Sequence, residues 1–220
     1  MTNYHSYDPN DGHRLPHNPI KAIIAPRPIG WISSVDLEGR ANLAPYSFFN
    51  IVSENPPILM FSSEGRKDTI RNIEDTGEFV FNLVTLPQAR AMNLTSAAWP
   101  ADVDEFKAAR LEKIASEVVA APRVAGTPAA MECKLLDIRR LVDINGRDVG
   151  AEIVTGQIVR VHILQDALIG GKFDIIKAQT IARAGYRGDY VDVKETFEML
   201  RPANLKNATD DGNGDMKAMG

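Results

Sequence analysis

Two long runs of alternating apolar and polar residues, 131–144 and 151–164, meet at Asn145-Gly146. An Asn-Gly pair is a strong short-range signal for chain reversal, because both residue types tolerate positive φ, so the runs are expected to pair antiparallel as one long hairpin. In the second run Val159, Val161 and Ile163 share one face, and Ile158, Arg160 and His162 share the other. Such a hairpin is marginal alone and calls for further strands around it.

Those strands are legible upstream. Ile29, Trp31, Ser33 and Val35 alternate before the turn-like Asp36-Leu37-Glu38-Gly39, and the chain returns through 40–50. Pro45 in that return removes a ladder donor, which predicts an edge, bulge or bend with backbone amides free to meet a ligand. Pro56-Pro57 opens the apolar run Ile58-Leu59-Met60-Phe61, which ends in Ser62-Ser63. A helix is expected over 66–76, with Ile70 and Ile73 on one side and Gly77 as its stop, followed by a strand over 79–84. Thr85-Leu86-Pro87-Gln88 has the spacing of a capping box and predicts another helix start. The stretch 99–130 reads as a long excursion with one short helix, placed where it could cover a site. No internal repeat is visible, and many short strands with turn signals point to a mainly β antiparallel barrel with peripheral helices.

Composition narrows the chemistry. With Lys+Arg 25 against Asp+Glu 29 the net charge is -4, and no basic run appears, so neither nucleic acid nor a membrane surface is an expected partner. No apolar stretch approaches the roughly 18 residues of a membrane span. The lone Cys133 excludes an internal disulfide and any multi-cysteine metal centre, which suits a reducing, cytoplasmic setting. Residues 1–18 carry His5, His13 and His17 among Pro9 and Pro16 and read as an irregular arm, solvated or lying on a partner subunit. They lack the apolar core of a signal peptide. Pro16 breaks the helical face that His13 and His17 would need to share, so no metal site is expected. Residues 203–220, rich in Asn, Asp and Gly, are expected to be a mobile tail, leaving 19–202 as the folded domain.

Gly-x-Gly-x-x-Gly, Walker, Gly-x-Ser-x-Gly and His-Glu-x-x-His patterns are all absent. What remains is a polar and aromatic concentration: Trp31, Ser33 and Ser34, then Asn42 to Asn50, then Ser62 to Thr69 at a helix start. A helix N-terminus offers unpaired amides and a positive dipole end, so Ser63, Lys67 and Thr69 are suited to one phosphate group. The competing reading is that Ser63 or Asp68 caps the helix while Lys67 is merely solvated. His162 reads as structural, since no carboxylate or nucleophile stands at a telling spacing.

Taken in order, Pro28-Ile29-Gly30-Trp31-Ile32-Ser33-Ser34, Gly39, Asn42-Leu43-Ala44-Pro45-Tyr46-Ser47-Phe48-Phe49, Pro56-Pro57, Arg66-Lys67-Asp68-Thr69, Gly77-Glu78-Phe79-Val80-Phe81-Asn82 and Arg183-Ala184-Gly185-Tyr186-Arg187-Gly188-Asp189-Tyr190 form a pattern. The chain thereby resembles the flavin reductase-like, FMN-binding split-barrel family, in its flavoredoxin-like branch, from about Pro19 to Pro202. That resemblance implies a homodimer of antiparallel Greek-key split β-barrels, with FMN near the subunit interface and NADH or NADPH as hydride donor.

Carried over residue by residue, Trp31, Ser33 and Ser34 fall on the strand near the flavin. Ala44, Pro45, Tyr46, Ser47 and Phe48 match the loop at its ring edge, and Ser63, Lys67 and Thr69 match phosphate-side positions. Asn42, Asp68, Asn72 and Arg183 are further cofactor-side candidates, and Tyr186 and Tyr190 face the pocket or the dinucleotide. No protein acid or base is implied, because hydride transfer to a flavin depends on stacking and orientation. The implied activity is NAD(P)H-dependent reduction of FMN, with electrons passed to free flavin, a monooxygenase partner or another small-molecule acceptor. The alternatives are an FMN-dependent monooxygenase or nitroreductase acting on an organic substrate, and a non-catalytic FMN electron carrier.

Overall fold

The computed structural model describes residues 2–199 and 217–218. Seven strands form the main sheet: β1 (Gly30–Val35), β2 (Ala41–Tyr46), β3 (Phe49–Glu54), β4 (Pro57–Glu64), β5 (Glu78–Leu83) and, after the excursion, the long pair Ala129–Val142 and Asp148–Ile163. The excursion holds a two-residue ribbon, β6 (Lys113–Ile114) and β7 (Arg123–Val124), so the long pair is β8 and β9. The sheet order is β2-β1-β5-β8-β9-β4-β3, and every pairing within it is antiparallel.

Only Ser47 and Phe48 separate β2 from β3, yet these are the outermost strands of that order. Three peptide links reach about 11 Å at most, so the two edges must lie close and the sheet must roll into a split barrel. A bond of 2.8 Å from Ser62 N to the Phe48 carbonyl carries the β3–β4 ladder one residue into this link. Pro45 sits on β2, an edge strand, as its missing N–H requires.

Four helices accompany the sheet among the described residues: α1 (Ile20–Ile23), α2 (Asp68–Thr76), α3 (Ala89–Leu94) and α4 (Glu105–Ala108). Helix α2 drives Ile70 and Ile73 into a barrel core built with Ile32, Leu59, Phe61, Phe79 and Val154. Gly77 ends it in the left-handed region, φ 72°, donating to the Ile73 carbonyl at 2.8 Å. A second core lies on the outer side of β1 and β2, where Trp31, Val35 and Leu43 meet Met92, Phe106 and Val124. All six residues of β1 are buried because both its faces are covered.

Three local expectations are refined. Thr85 makes no backbone cap; its Oγ1 meets Gln88 Oε1 at 3.2 Å, and a 3-10 turn over Leu86–Gln88 precedes α3. The excursion adds the β6–β7 ribbon to its single short helix. Asn145-Gly146 belongs to a wider loop, in which Asp143 Oδ1 accepts from the amides of Asn145 and Arg147 and Gly146 takes φ 78°. A carboxylate at the loop's first position favours that form over a two-residue turn.

The arm is mostly exposed; His13 lies by His5 and Tyr7, and His17 by Tyr186. Towards the other end β10 (Leu168–Ile169) pairs with β11 (Lys172–Phe173), and β12 (Ile181–Arg183) pairs with β13 (Tyr190–Asp192). The tail over 203–220 lies outside the described residues except at 217–218. Among the described residues no helix is long and apolar enough to cross a membrane.

Candidate functional site

The start of α2 differs from an ordinary helix start. Its N-cap, Lys67, gives no side-chain cap, and the amides of Asp68 and Thr69 donate to no acceptor among the described residues. Neither Ser63 nor Asp68 caps the helix, since the Ser63 hydroxyl donates to the Gly65 carbonyl at 2.9 Å and Asp68 pairs with Arg71, while Lys67 is exposed as the capping alternative expected. Two backbone donors and the positive end of a nine-residue helix therefore point out of the fold with Lys67 beside them.

They open on a cleft of about 340 Å³ between α2, β2 and the segment 95–99. Its walls bring together Asn42, Ala44, Pro45, Tyr46, Lys67, Asp68 and Thr69, which are candidates drawn from two separate stretches of sequence. Register explains the grouping. Ser34 pairs with Asn42 and Ile32 with Ala44, so the alternation of β1 and β2 turns Ser34, Asn42, Ala44 and Tyr46 to the side that α2 packs against.

A polar chain runs beneath the cleft. Asn72 Nδ2 donates to Ser34 Oγ at 3.2 Å, and the Asn42 amide lies 2.8 Å from Thr69 Oγ1. In the orientation that satisfies both its ends, Asn42 donates to Glu105 Oε1 at 3.3 Å and accepts from Thr69 Oγ1 and Leu43 N. Glu105 Oε2 also accepts from Leu43 N at 3.2 Å, on the free edge of β2. Burial pushes the Glu105 carboxyl above its ordinary pKa. Glu105 carries no sequence signal of its own; only the fold brings this part of the excursion back over β2.

Tyr46 is the exception in this network. It is 7% exposed and packs on Phe61 at 4.7 Å between ring centroids, yet its hydroxyl has no hydrogen-bond partner. Burial pushes the phenol pKa up; the hydroxyls of Thr69 and Ser63 oppose the shift without completing a bond to Oη. A buried, unpaired hydroxyl costs free energy unless something else supplies its partner.

The remaining candidates fall elsewhere. Ser47 lines a smaller groove of about 140 Å³ with Arg183 and Tyr190, and this groove shares Pro45 and Ser96 with the cleft between α2 and β2. The amides of Ser47 and Phe48 are without acceptors among the described residues. Phe48 lies under the Lys21 ammonium at 5.3 Å, and Ser63 is buried behind the cleft. Trp31 and Ser33 face the other way. Trp31 Nε1 donates to Thr95 Oγ1 at 2.9 Å, and Ser33 Oγ to the Pro122 carbonyl at 2.6 Å, under the excursion.

His162 has the carboxylate that its sequence context did not disclose: Nε2 lies 2.7 Å from Glu132 Oε1, brought in from the neighbouring strand. Burial alone would raise the Glu132 pKa, but the Glu117 amide, His162 and the amides of Val118 and Val119 together hold it below the usual value. Burial pushes the Cys133 thiol far up, which leaves it unreactive.

Comparison with known proteins agrees with this architecture. The family model described as the flavin reductase like domain matches residues 24–175. An uncharacterized protein of Deinococcus radiodurans is 32% identical over 194 residues, covering 83% of this chain and 82% of that protein. One from Aquifex aeolicus is 41% identical over 130 residues, covering 57% of this chain and 66% of that protein. Among solved structures, nitrilotriacetate monooxygenase component B from Bacillus cereus superposes with a TM-score of 0.81 at 32% identity, over 90% of this chain and all (100%) of that one. The 2-nitrobenzoate 2-nitroreductase NbaA of Pseudomonas fluorescens gives 0.74 at 28% identity, over 84% of this chain and 90% of that one. The flavoredoxin of Desulfovibrio vulgaris (Miyazaki F) shares the fold, with a TM-score of 0.69 at 23% identity over 81% of this chain and 91% of that one.

Proposed function

Since the chain belongs to the flavin reductase-like family, a family of flavin-handling oxidoreductases, we propose that it holds FMN in the cleft between α2 and β2, oxidises NADH or NADPH, and delivers the electrons to free flavin, a monooxygenase partner or another small acceptor. The carrying observation is the unfinished hydrogen bonding at one place: two open amides at the start of α2 on the cleft, and beneath the same cleft the buried Tyr46 hydroxyl without a partner. These groups fit FMN. The amides of Asp68 and Thr69, with the Lys67 ammonium, hold a phosphate monoester, since a helix start combines donors with a favourable dipole.

Asn42 and Thr69 would hold the sugar-like chain, and the amides of Ser47 and Phe48 would serve the polar edge of a ring. When bound, FMN supplies the ring that accepts hydride and passes electrons on. The protein orients that ring and its donor and excludes water under the segment 95–99, so no side-chain acid or base is required. The physiological unit is a homodimer. Val159, Val161 and Ile163, exposed along β9, supply an apolar row for a second copy, and a monomeric mass in light scattering would count against it.

A second reading, in which bound FMN reduces an organic nitro compound or supports oxygenation of an organic substrate, is favoured by the likeness to the nitroreductase. Likeness to a monooxygenase component favours delivery to a partner.

An anaerobic visible spectrum of FMN-reconstituted, desalted protein tests the proposal. Retention of the flavin band and its bleaching by stoichiometric NADH or NADPH are expected. A band that only dithionite bleaches, or no turnover of NAD(P)H with saturating FMN, overturns it. Oxidation of the reduced protein that speeds up with a nitroaromatic, and yields a modified product, selects the second reading.

A further inference from the structure

A second cleft, of about 510 Å³, lies between the chain's two ends. His17, Asn18 and Lys21 of the N-terminal segment face Arg183, Tyr186 and Arg187 of the β12–β13 hairpin, and no carboxylate lines it. This is unusual in a chain of net charge -4. Beneath the cleft Arg27 is 6% exposed, and its backbone pairs with that of Arg183 through bonds of 2.8 and 2.9 Å. One Arg27 terminal nitrogen donates to the carbonyls of Lys21 and Ile24, but its Nε has no partner, and neither has Arg183 Nε.

Among the described residues Lys21, Arg27, Arg183 and Arg187 form no salt bridge. The hairpin carboxylate Asp189 accepts from the Tyr186 amide at 3.1 Å. Arg27 is buried and Arg183 half-buried without a counter-ion, which is costly, and the exposed Lys21 and Arg187 add like charge at the rim; the usual remedy is an anion. The exposed Tyr186 ring, 5.7 Å from the His17 ring, adds an aromatic platform beside the charges.

Position identifies the anion's source. Arg183 lines both this cleft and the small groove containing Ser47 and Pro45, which leads to the flavin cleft. Its guanidinium also stacks over Tyr190 at 4.7 Å, which holds it at the junction. We propose that the cleft between the N-terminal segment and the β12–β13 hairpin binds the phosphate-bearing adenosine half of the nicotinamide dinucleotide, with Lys21 and Arg187 as its phosphate contacts and Tyr186 as its stacking surface. The other half then extends past Arg183 towards Ser47. The assignment rests on the reading of the chain as an NAD(P)H-dependent flavin enzyme, and it makes the two chain ends the part that selects the donor.

The test is calorimetric titration of the FMN-loaded protein with 2′,5′-ADP, ADP-ribose and inorganic phosphate, beside steady-state KM values for NADPH and NADH. Lys21→Ala and Arg187→Ala each weaken an adenosine phosphate by about tenfold or more, the size of a lost charge-assisted contact. They raise KM for the dinucleotide in step while FMN content is retained. Arg147→Ala, which removes the same charge at the 143–147 loop, changes neither. Tighter binding of 2′,5′-ADP than of ADP-ribose assigns the cations to the 2′-phosphate of NADPH; the reverse assigns them to the diphosphate. Wild-type affinity in both cleft variants, or inorganic phosphate binding as tightly as 2′,5′-ADP, overturns the inference. Failure of the flavin reading shows separately, as absence of dinucleotide oxidation by a wild-type protein that still binds 2′,5′-ADP.

Discussion

The excursion and the entrance to α2 treat backbone amides in opposite ways. In the excursion the chain satisfies its own loops with carboxylates. Asp104 caps α4 by accepting from the amides of Phe106 and Lys107, and Glu132 reaches across from β8 to take those of Glu117, Val118 and Val119. At α2 no side chain takes the role, although Ser63 and Asp68 both stand close by. A fold that finishes its amides in one place and leaves them open in another separates scaffold from site. On the proposed reading, the open amides are where a ligand would complete the structure.

The largest effect that sharpens this contrast belongs to the scaffold. Glu132 is 0% exposed, and Glu132→Ala strands three amides and the His162 ring. We expect a loss of roughly 3–5 kcal/mol in denaturant unfolding, typical of breaking a buried charged network, with the ratio of FMN to riboflavin affinity unchanged. A shift in that ratio would break the division between scaffold and site. The sign with pH follows from the lowered pKa: the Glu132 contribution is complete above the ordinary carboxylate pKa and disappears as pH falls through its lower folded value. Glu132→Gln, which does not titrate, flattens that acid limb.

Next in size is the site itself. Lys67→Ala weakens FMN by about 10-fold to 100-fold, as expected for a charge-assisted contact, and leaves riboflavin, which lacks the phosphate, nearly untouched. Competition titrations with the two flavins measure the difference, and equal loss for both removes the phosphate from α2.

Much of this arrangement is legible in the sequence, for reasons of period and turn chemistry. The strands around Trp31, Phe61 and Phe79, the helix stopped by Gly77 and the edge position of Pro45 all follow from local patterns. Bringing residues 42–46 and 67–69 to one cleft needed only neighbouring elements. What stays hidden is set by long-range packing. Ser33 and Ser34 are adjacent, alike and both buried, yet alternation sends Ser34 to Asn42 and Asn72 and Ser33 to Pro122. Nothing near Glu105 announces that it will meet Leu43 and Asn42. The same holds for Lys21, whose place in a cleft depends on a hairpin that follows it by more than 150 residues.

Smaller still is the cap on α4. Asp104→Ala costs about 1 kcal/mol in unfolding, the usual worth of an N-cap, since its amide contacts vanish and the Lys113 pair at 2.5 Å is lost with them. Flavin discrimination is unaffected, because this amide pair never faced the cleft. A selective loss of FMN in Asp104→Ala would show that the excursion's own capping is coupled to the site.

The smallest effect is the most pointed, because its two readouts carry opposite signs. Tyr46→Phe deletes a hydroxyl that is buried without a partner while keeping the ring on Phe61. Thermal unfolding of the flavin-free protein should therefore show a gain of about 0.5 kcal/mol, near the low end of what a hydroxyl hydrogen bond is worth. On the proposed reading, in which a bound ligand completes the buried Oη, flavin binding to the same variant weakens. An ordinary structural tyrosine would lose stability in the flavin-free protein and bind flavin as before. If Tyr46→Phe behaves in that way, the unpaired hydroxyl is filled from within the fold, and the contrast between a finished excursion and an unfinished site rests on the α2 amides alone.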